Sequence, residues 1–324
     1  MNELYQNSGL PTKGSISRAY DSIESKINNT PILTSQTTNK KLGAQLFFKC
    51  ENFQKAGAFK FRGASFALSL LTSEGSSLGV CTHSSGNHAQ ALALAAKVKK
   101  INAYIVMPDN SPKVKIKAVE SYGGNITFCE PTLQARESCL ENISKQTGAV
   151  FIHPYNDFNV IHGQATCFYE MIKQMQDTPD YLIVPLGGGG LLSGSLLSAC
   201  YFSPKTKVIG VEPLMANDAW QSFQKKKLIP AVSPQTIADG LRTSLGTLTF
   251  PIIMKHTHDI ITVSENSIKD AMYWIWERLK IVVEPSAAVT LAAIMENSQR
   301  FKNKKVALIL SGGNVDLNTL PWII

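Results

Sequence analysis

A lysine between two phenylalanines has the setting in this sequence that most favours chemistry. Lys60 lies between Phe59 and Phe61 in residues 57–63, GAFKFRG. An apolar, partly desolvated setting disfavours the ammonium form, so it lowers the pKa of the amine and makes it a competent nucleophile toward carbonyl groups. The alternative is a solvated surface lysine, which is the commoner place for this residue type. The residues alone leave both interpretations open.

Four consecutive glycines form a second unusual segment. The apolar run 182–186 leads into residues 187–190 (GGGG), and a segment of helical character follows from Leu191. Without side chains in the way, backbone N–H groups at a helix N-terminus can bind a phosphate. The pattern matches neither the dinucleotide fingerprint nor the nucleotide-binding P-loop. A phosphate cradle and a tight turn without a ligand therefore both remain.

Two further turns carry polar side chains directly after apolar runs. Residues 84–88 (SSGNH) follow the run 79–82, and Ser311 follows the run 306–310. Serine and asparagine are favoured helix caps, and His88 is then an ordinary residue of a first helical turn. The same hydroxyl and N–H groups can instead bind a substrate carboxylate, and Ser311 can offer its hydroxyl to a ring nitrogen.

Two carboxylates, Glu212 and Asp218, follow the apolar run 208–211. Their oxygens, with backbone carbonyls between them, suit Mg²⁺ or Ca²⁺ rather than zinc. From spacing alone, a capping or surface role is the commoner outcome.

The elements that must position these residues alternate between strand and helix. Amphipathic segments with helical periodicity, the first over 16–27, separate apolar runs of strand length, which predicts an α/β fold with parallel sheets and helices on both faces. Ligands in such folds lie beyond the carboxyl ends of the strands, so we expect the polar turns to meet there. The predicted strands are 46–48, 79–82, 103–107, 126–129, 181–185, 208–211, 260–263 and 306–310.

Length and composition limit the class of protein. The chain has 324 residues, six single cysteines without a CxxC pair, and a formal net charge of +8. The length predicts about two globular domains, and the cysteines are typical of free thiols in a reducing cytoplasm. The compact basic runs, 225–227 and 302–305, are too short to indicate a nucleic-acid partner. Residues 1–13 are polar and no run approaches ~18 apolar residues, so we expect a cytoplasmic protein without a membrane partner.

Together these motifs resemble the fold type II pyridoxal-phosphate enzymes, and most closely the serine racemase and serine/threonine dehydratase family. The resemblance extends from about Thr30 to Asn314 and rests on FKCENFQ, GAFKFRGA, SSGNHAQA, GGGGLLSG, TIADG and SGGNVD. It implies a fold like that of the tryptophan synthase β subunit, with two open, twisted, mainly parallel sheets flanked by helices. It also implies a large domain over 1–78 and 155–324, a small domain over 79–154, and an active site in the cleft between them.

The resemblance implies pyridoxal 5'-phosphate as the cofactor. Lys60 is expected to carry the Schiff base, and Ser311 is expected to face the pyridine nitrogen. Because a hydroxyl partner leaves that nitrogen largely neutral, prompt loss of a β-leaving group is favoured. The cofactor-binding residues implied in this way are Phe59, Lys60, Asn87, Gly187, Gly188, Gly189, Gly190, Leu191 and Ser311.

The activity implied is serine racemisation with accompanying α,β-elimination of L-serine or L-threonine to a 2-oxo acid and ammonia. Lys60 is expected to transfer the α-proton on one face and Ser85 on the other. The alternatives are a dedicated L-threonine/L-serine dehydratase and a threo-3-hydroxyaspartate ammonia-lyase, because enzymes of the latter kind look like this sequence at the same positions, Ser85 included. The residues expected to bind the substrate are Ser84, Ser85, Asn87, His88 and Arg136.

Three further expectations come from the resemblance. Mg²⁺ or Ca²⁺ is expected at Glu212 and Asp218 with the carbonyl of Ala216, and the protein is expected to be a homodimer. ATP is a candidate effector, although the match to the nucleotide site is partial because Ala56 stands where animal racemases have threonine. The residues of that site are Ser35, Gln36, Thr37, Lys55, Gln90 and Asn314.

Overall fold

Two sheets organise the chain, of which the computed structural model describes residues 9–322. Within that range the strands are β1 (Ile32–Leu33), β2 (Gln45–Cys50), β3 (Val80–His83), β4 (Ala103–Pro108), β5 (Asn125–Cys129), β6 (Val150–Phe151), β7 (Tyr181–Pro185), β8 (Lys207–Pro213), β9 (Asp259–Val263) and β10 (Lys305–Leu310). One sheet has the order β1-β2-β10-β7-β8-β9 and the other β5-β4-β3-β6. All neighbouring strands are parallel except β1, which pairs antiparallel with β2.

Helices follow most of the strands. Over the same residues they are α1 (Lys13–Ile23), α2 (Gln36–Leu42), α3 (Lys60–Ser69), α4 (Ser73–Leu78), α5 (Asn87–Lys99), α6 (Lys113–Ser121), α7 (Leu133–Thr147), α8 (Phe158–Gln174), α9 (Gly190–Phe202), α10 (Asp218–Lys225), α11 (Thr249–His256), α12 (Glu265–Trp274), α13 (Pro285–Glu296) and α14 (Ser298–Phe301). A π-helical turn, Ile275–Leu279, extends α12.

The predicted α/β class and each predicted strand are confirmed. The prediction of a first helix over 16–27 was wrong at both ends. That helix starts at Lys13, because Thr12 forms a capping box with Ser15, and it ends at Ile23. The strands β1 and β6 were not predicted, since two residues carry no periodicity.

The central strands of each sheet are buried on both faces, which explains their nearly continuous apolar runs. In β10, Val306 and Leu308 pack into the core on the α12 and α13 side. The intervening Ala307 and Ile309 pack into the core shared with α8 and α9. Strand β4 of the second sheet shows the same alternation. Ile105 packs into a core beside α3 and α5, and Val106 packs into a smaller cluster beside α7.

Helix α8 packs closely against both α3 and α9. A Cβ atom added to Gly163 of α8 would lie 2.5 Å from the carbonyl oxygen of Arg62. A Cβ atom added to Gly194 of α9 would lie 2.6 Å from the backbone nitrogen of Ala165. Both approaches involve backbone, so they cannot be relieved by rotating a side chain. The three helices therefore form a stack that fixes the start of α3 and the start of α9 relative to α8.

A fully buried ionic cluster joins α3 to the large sheet and to α8. The guanidinium of Arg62 contacts both oxygens of Glu51, with Nε–Oε2 at 2.7 Å and Nη2–Oε1 at 2.8 Å. It also contacts Glu170 of α8 at 2.7 Å, and Lys49 of β2 reaches the same Glu170 oxygen at 2.5 Å. Although burial opposes ionisation, the adjacent guanidinium keeps the pKa of Glu51 below its ordinary value. The cluster fixes the backbone two residues after Lys60.

We expect Arg62→Met to lower the free energy of unfolding by about 3–5 kcal/mol, because Glu51 and Glu170 would lose their shared buried partner. Urea denaturation measures the loss. The matched control is Arg300→Met, since Arg300 contacts Asp259 at the same 2.7 Å but in a partly exposed pair, worth about 0–1 kcal/mol. Equal losses in the two variants would contradict the prediction.

Several other expectations concern the whole chain. Among residues 9–322, no helix has the length and hydropathy needed to cross a bilayer. All six cysteines are free thiols, as predicted. The strands of the second sheet all lie between residues 80 and 151, within the range predicted for the small domain, and the division into domains stays a prediction. The interpretation of residues 1–13 falls mostly outside the described residues.

Candidate active site

The predicted polar turns line one cavity of about 380 Å³. Its walls come from the segments that follow β3, β7 and β10, together with the start of α3, so it lies at the carboxyl ends of strands from both sheets. The predicted residues that line it are Phe59, Lys60, Ser84, Ser85, Asn87, His88, Arg136, Gly187, Gly188, Gly189, Gly190, Leu191 and Ser311. The structure brings them together, and their individual roles stay predictions.

Lys60 is the first residue of α3 and its amine lies among aromatic rings and backbone. The Nζ atom donates a hydrogen bond to the carbonyl oxygen of Pro154 at 2.8 Å. It lies 5.2 Å from the ring centroid of Phe59 and 6.0 Å from that of Tyr155. Burial lowers the pKa of Lys60 to about 8. A solvated surface lysine is therefore not what the structure shows, and the neutral fraction of the amine near physiological pH is much larger than that of a solvated lysine.

The glycine turn has no room for side chains. Gly189 has φ +89°, which favours glycine, and a Cβ atom on Gly188 would lie 2.4 Å from the ring of Tyr155. Thr249 anchors the turn by donating to the carbonyl oxygen of Gly188 at 2.9 Å. No side chain caps α9, which starts at Gly190, so the backbone N–H groups of its first turn are available to an anion.

The SSGNH turn is not a helix cap of the ordinary kind. The N-cap of α5 is Gly86, and no side chain caps that helix. Ser84 instead accepts a hydrogen bond from the N–H of Gly86 at 3.3 Å. Ser85 makes no hydrogen bond to any part of the chain between residues 9 and 322. Its hydroxyl lines the cavity without a protein partner, as a group that acts on a ligand would.

Asn87 is held from two sides. Its Nδ2 donates to Oε1 of Glu284 at 2.6 Å, and its Oδ1 accepts from Nδ2 of Asn314 at 3.0 Å. Asn314 also donates to the carbonyl oxygen of Ala56 at 2.8 Å. This network fixes the orientation of the Asn87 amide at the cavity wall.

Three histidines near Lys60 are neutral. Burial lowers the pKa of His83 and of His153 to about 4, and it lowers the pKa of His88 further below the ordinary value. The Nε2 atom of His88 lies 3.1 Å from the carbonyl oxygen of Ile152 and therefore carries the proton, which leaves its buried Nδ1 without a partner. These rings can donate or accept hydrogen bonds, but they add no positive charge to the cavity.

Two arginines supply positive charge to the cavity without an acidic partner in residues 9–322. Arg136 of α7 donates from Nε to the carbonyl oxygen of Thr132 at 3.3 Å. Arg242 donates from Nε to the carbonyl oxygen of Thr236 at 3.0 Å. Because these partners are neutral carbonyls, both guanidinium groups remain free to pair with a carboxylate of a ligand.

Ser311 lies directly after β10, at the wall of the cavity. Ser311 is buried beside the cavity, and its carbonyl accepts from the N–H of Phe59 at 3.0 Å. The next helical turn after Ser311 begins at Leu317, so a capping role is not observed.

Glu212 and Asp218 are buried close together at one end of β8. Glu212 accepts from the N–H groups of Ala219 at 3.2 Å and Trp220 at 2.5 Å, so the capping interpretation is observed for this residue. Oδ2 of Asp218 is buried without a partner in the described chain. Burial raises the pKa of Glu212 to about 9 and that of Asp218 to about 7, and Asp218 raises that of Glu212 further. Ala216 lies between them in the sequence, and the oxygens suit a hard cation, although no group of three Asp, Glu, His or Cys side chains within residues 9–322 is placed to hold a metal ion.

The predicted nucleotide residues do not line the cavity. Ser35 caps α2, whose first-turn residues Gln36 and Thr37 are exposed. Lys55 lies 5.9 Å from the ring centroid of Phe61, and Gln90 is buried with its Nε2 unpartnered. Asn314 uses its amide within the network described above.

Sequence reasoning missed several charged or aromatic cavity residues, among them Tyr155, Lys115, Asp239, Arg242 and Glu284. Asp239 lies within the TIADG motif, which was noted without a role for its carboxylate. Lys115 lies in an amphipathic helix beside other lysines, where a buried position has no signature. Glu284 directly precedes Pro285, the first residue of α13, and this placement resembles an ordinary helix start.

Comparisons with known proteins agree on one family. Residues 23–312 match the family model described as pyridoxal-phosphate dependent enzyme. The chain is 46% identical over 313 residues to the beta-hydroxyaspartate dehydratase of Paracoccus denitrificans, covering 97% of this chain and 99% of that protein. It is 46% identical over 316 residues to the serine racemase of Dictyostelium discoideum, covering 95% and 96%. The solved structure of maize serine racemase superposes with a TM-score of 0.93 at 44% identity, covering 95% of each chain.

Proposed function

Because the chain belongs to the family of pyridoxal-phosphate-dependent enzymes, we propose that it racemises serine and also eliminates water from L-serine and L-threonine, giving a 2-oxo acid and ammonia. The observation that carries this proposal is the presence in one cavity of two groups able to move a proton, Lys60 and Ser85. Lys60 belongs to α3, whereas Ser85 precedes α5. The two groups thus approach the cavity from different segments, as proton transfer on two faces requires.

The residues present fit pyridoxal phosphate. Lys60 offers an amine with a lowered pKa, the turn at 187–190 offers backbone N–H groups that a Cβ would block, and Ser311 offers a hydroxyl. When bound, the group supplies a sink for the electron pair left on the α-carbon after proton removal.

The chain's own residues account for the remaining steps. Lys60 takes or returns the α-proton on one face, and its lowered pKa matches a base that works near neutral pH. Ser85 serves the opposite face, which racemisation requires and elimination does not. The N–H and hydroxyl groups at Ser84, Asn87 and His88 hold the substrate carboxylate, and Arg136 adds a positive charge to the same wall.

A substrate panel with chiral product analysis tests the proposal. The purified protein loaded with pyridoxal phosphate should form both D-serine and pyruvate from L-serine, and 2-oxobutyrate from L-threonine. Pyruvate without D-serine would replace the racemase by a dedicated dehydratase. No turnover of any hydroxy amino acid would refute the proposed function.

A second candidate, threo-3-hydroxyaspartate ammonia-lyase activity, has support from Arg136 and Arg242. Two guanidinium groups without acidic partners in the described chain suit a substrate with two carboxylates better than serine, which has one. The discriminating measurement is the ratio of kcat/KM for L-threo-3-hydroxyaspartate to that for L-serine. Under this candidate, Arg242→Met lowers the ratio. An unchanged ratio assigns Arg242 no part in substrate choice.

We expect Mg²⁺ or Ca²⁺ to stabilise the protein at Glu212, Asp218 and the carbonyl of Ala216. The buried Oδ2 of Asp218 lacks a partner in residues 9–322, and a cation would compensate both carboxylates. At a hundredfold excess over Kd, binding to the native state alone adds about 2.7 kcal/mol. Thermal melting with EDTA and with added Mg²⁺ measures the shift, and Asp218→Asn should remove it. Identical melting in both solutions would refute the site.

The remaining expectations are a homodimer, a cytoplasmic location and ATP as an effector. Analytical ultracentrifugation tests the first and imaging in cells of the source organism tests the second. Activity measured across millimolar Mg-ATP tests the third, and a flat response would remove it.

A further inference from the structure

Lys115 is a buried lysine whose ammonium group contacts acidic side chains on the other side of the cavity. It lies on α6, which follows β4 of the four-stranded sheet, and its neighbours on that helix, Lys113 and Lys117, are exposed. The Nζ atom donates to Oδ2 of Asp239 at 2.5 Å and lies 3.8 Å from Oε2 of Glu284.

Both acidic partners belong to the other side of the cavity. Asp239 starts a short 3₁₀ turn, Asp239–Leu241, and Glu284 immediately precedes α13, which packs on the six-stranded sheet. A single ammonium group therefore joins the two sheets across the space that the substrate would enter.

The ammonium of Lys115 offsets the negative charges of Asp239 and Glu284. Oε2 of Glu284 is buried without a hydrogen bond, while its Oε1 accepts from Asn87. Burial raises the pKa of Glu284 to about 7, and Lys115 opposes that rise. The other charged groups that act on Lys115 are Asp239, which raises its pKa, and Arg242, which lowers it. Removing the ammonium would leave both carboxylates without an ion-pair partner in residues 9–322.

Lys115 also lies beside the turn that carries Ser85, and both line the cavity. A Cβ atom on Gly86 would lie 3.6 Å from Nζ and 3.7 Å from Cδ of Lys115. The end of the Lys115 side chain therefore lies close to the SSGNH turn while it contacts Asp239 and Glu284, and Asn87 of that turn donates to the same Glu284.

We propose that Lys115 is a positioning residue, a clamp that holds α6 and the SSGNH turn against Asp239 and Glu284 and so keeps the cavity closed around the substrate. This proposal deepens the proposed function and rests on it for its kinetic consequence. Its structural consequence is independent, because the contacts join segments of this chain to one another.

The first experiment is hydrogen exchange of the purified, full-length protein. In Lys115→Met, the amides of α6 and of residues 239–241 should exchange faster together, since the clamp joins them. The matched controls are Lys113→Met and Lys117→Met, which remove an exposed ammonium from the same helix and should leave both segments unchanged. Unchanged exchange in Lys115→Met would overturn the clamp whether or not the protein is an enzyme.

The second experiment separates positioning from simple stabilisation. If the closed state becomes a minor one, KM for L-serine rises in proportion, and we expect about a tenfold rise with kcat within about threefold of wild type. Lys115→Arg, which keeps the charge, should restore KM to within about threefold. Faster exchange with an unchanged KM would show a structural role only and would overturn the proposal.

The two experiments distinguish a failure of the Lys115 clamp from a failure of the proposed function. A wild-type protein without activity refutes the proposed function, and hydrogen exchange then decides the clamp alone. If Lys115→Met does not fold, Asp239→Asn removes the shorter contact and should show the same paired exchange and the same rise in KM. Failure of that variant to show either change would overturn the clamp.

Discussion

Replacing Lys60 with alanine will abolish both racemisation and elimination, with kcat/KM falling by at least about 10⁴-fold. Lys60 is the half-buried amine at the start of α3, and burial alone brings its pKa to about 8. Its nearest ring neighbours are Phe59 and Tyr155, and the other lysine that lines the cavity, Lys115, is engaged with Asp239 and Glu284. The loss should be the largest of any single substitution in the cavity.

Kinetics with L-serine measure the fall, and peptide mapping after borohydride reduction identifies the lysine that holds pyridoxal phosphate. Wild type should carry the label on Lys60. Lys60→Arg is the matched control, because it keeps a positive charge without a titratable amine, and it should be as inactive as Lys60→Ala. A label on a different lysine, or an active Lys60→Arg variant, would end this interpretation.

The lowered pKa also fixes a direction for pH dependence. The neutral amine is the reactive form, so its fraction rises through pH 8 and then levels off. The rate at which cofactor-free protein takes up pyridoxal phosphate should follow the same curve. An ordinary lysine would place the rise near pH 10.4 instead.

Ser85→Ala should separate the two activities. Formation of D-serine and deamination of D-serine should each fall by about 10²- to 10⁴-fold, because both need proton transfer on the face that Ser85 serves. Dehydration of L-serine needs Lys60 alone and should remain largely intact. The unpartnered hydroxyl of Ser85 at the cavity wall is the structural basis of this expectation.

Chiral chromatography of D-serine beside an assay of pyruvate decides the outcome. Ser84→Ala is the matched control, since Ser84 accepts from the N–H of Gly86 and is expected to bind the carboxylate, so both activities should weaken together. If Ser85→Ala also lowers both activities equally, Ser85 holds the substrate and is not a proton-transfer group.

Much of the fold follows from local patterns in the sequence. The strands β7, β8 and β10 are runs of apolar residues buried on both faces, which periodicity and composition identify. The π-helical turn at Ile275–Leu279 was not predictable, because the apolar spacing of residues 268–279 is continuous. Two tryptophans at this turn make hydrogen bonds that the spacing does not indicate, from Trp274 to Thr38 and from Trp276 to the carbonyl of Val283.

The candidate site was predictable only where a motif carries it. The glycine turn and the setting of Lys60 are local features, visible in residues 57–63 and 187–190. Lys115 and Glu284 were not visible, because their burial and pairing depend on segments about 170 residues apart. The neutral state of His83 and His153 has the same origin, since desolvation in the folded protein sets their pKa values.

The stack of α3, α8 and α9 holds two parts of the cavity wall at a fixed separation. Lys60 begins α3 and Gly190 begins α9, and both helices meet α8 at backbone contacts that cannot stretch. When α8 moves, the amine of Lys60 and the glycine turn therefore move with it, and the distance between them stays the same. Ser85 and Arg136 lie outside this stack, because Ser85 follows β3 of the second sheet and Arg136 belongs to α7. We expect substitutions there to leave the distance between the Lys60 amine and the glycine turn unchanged.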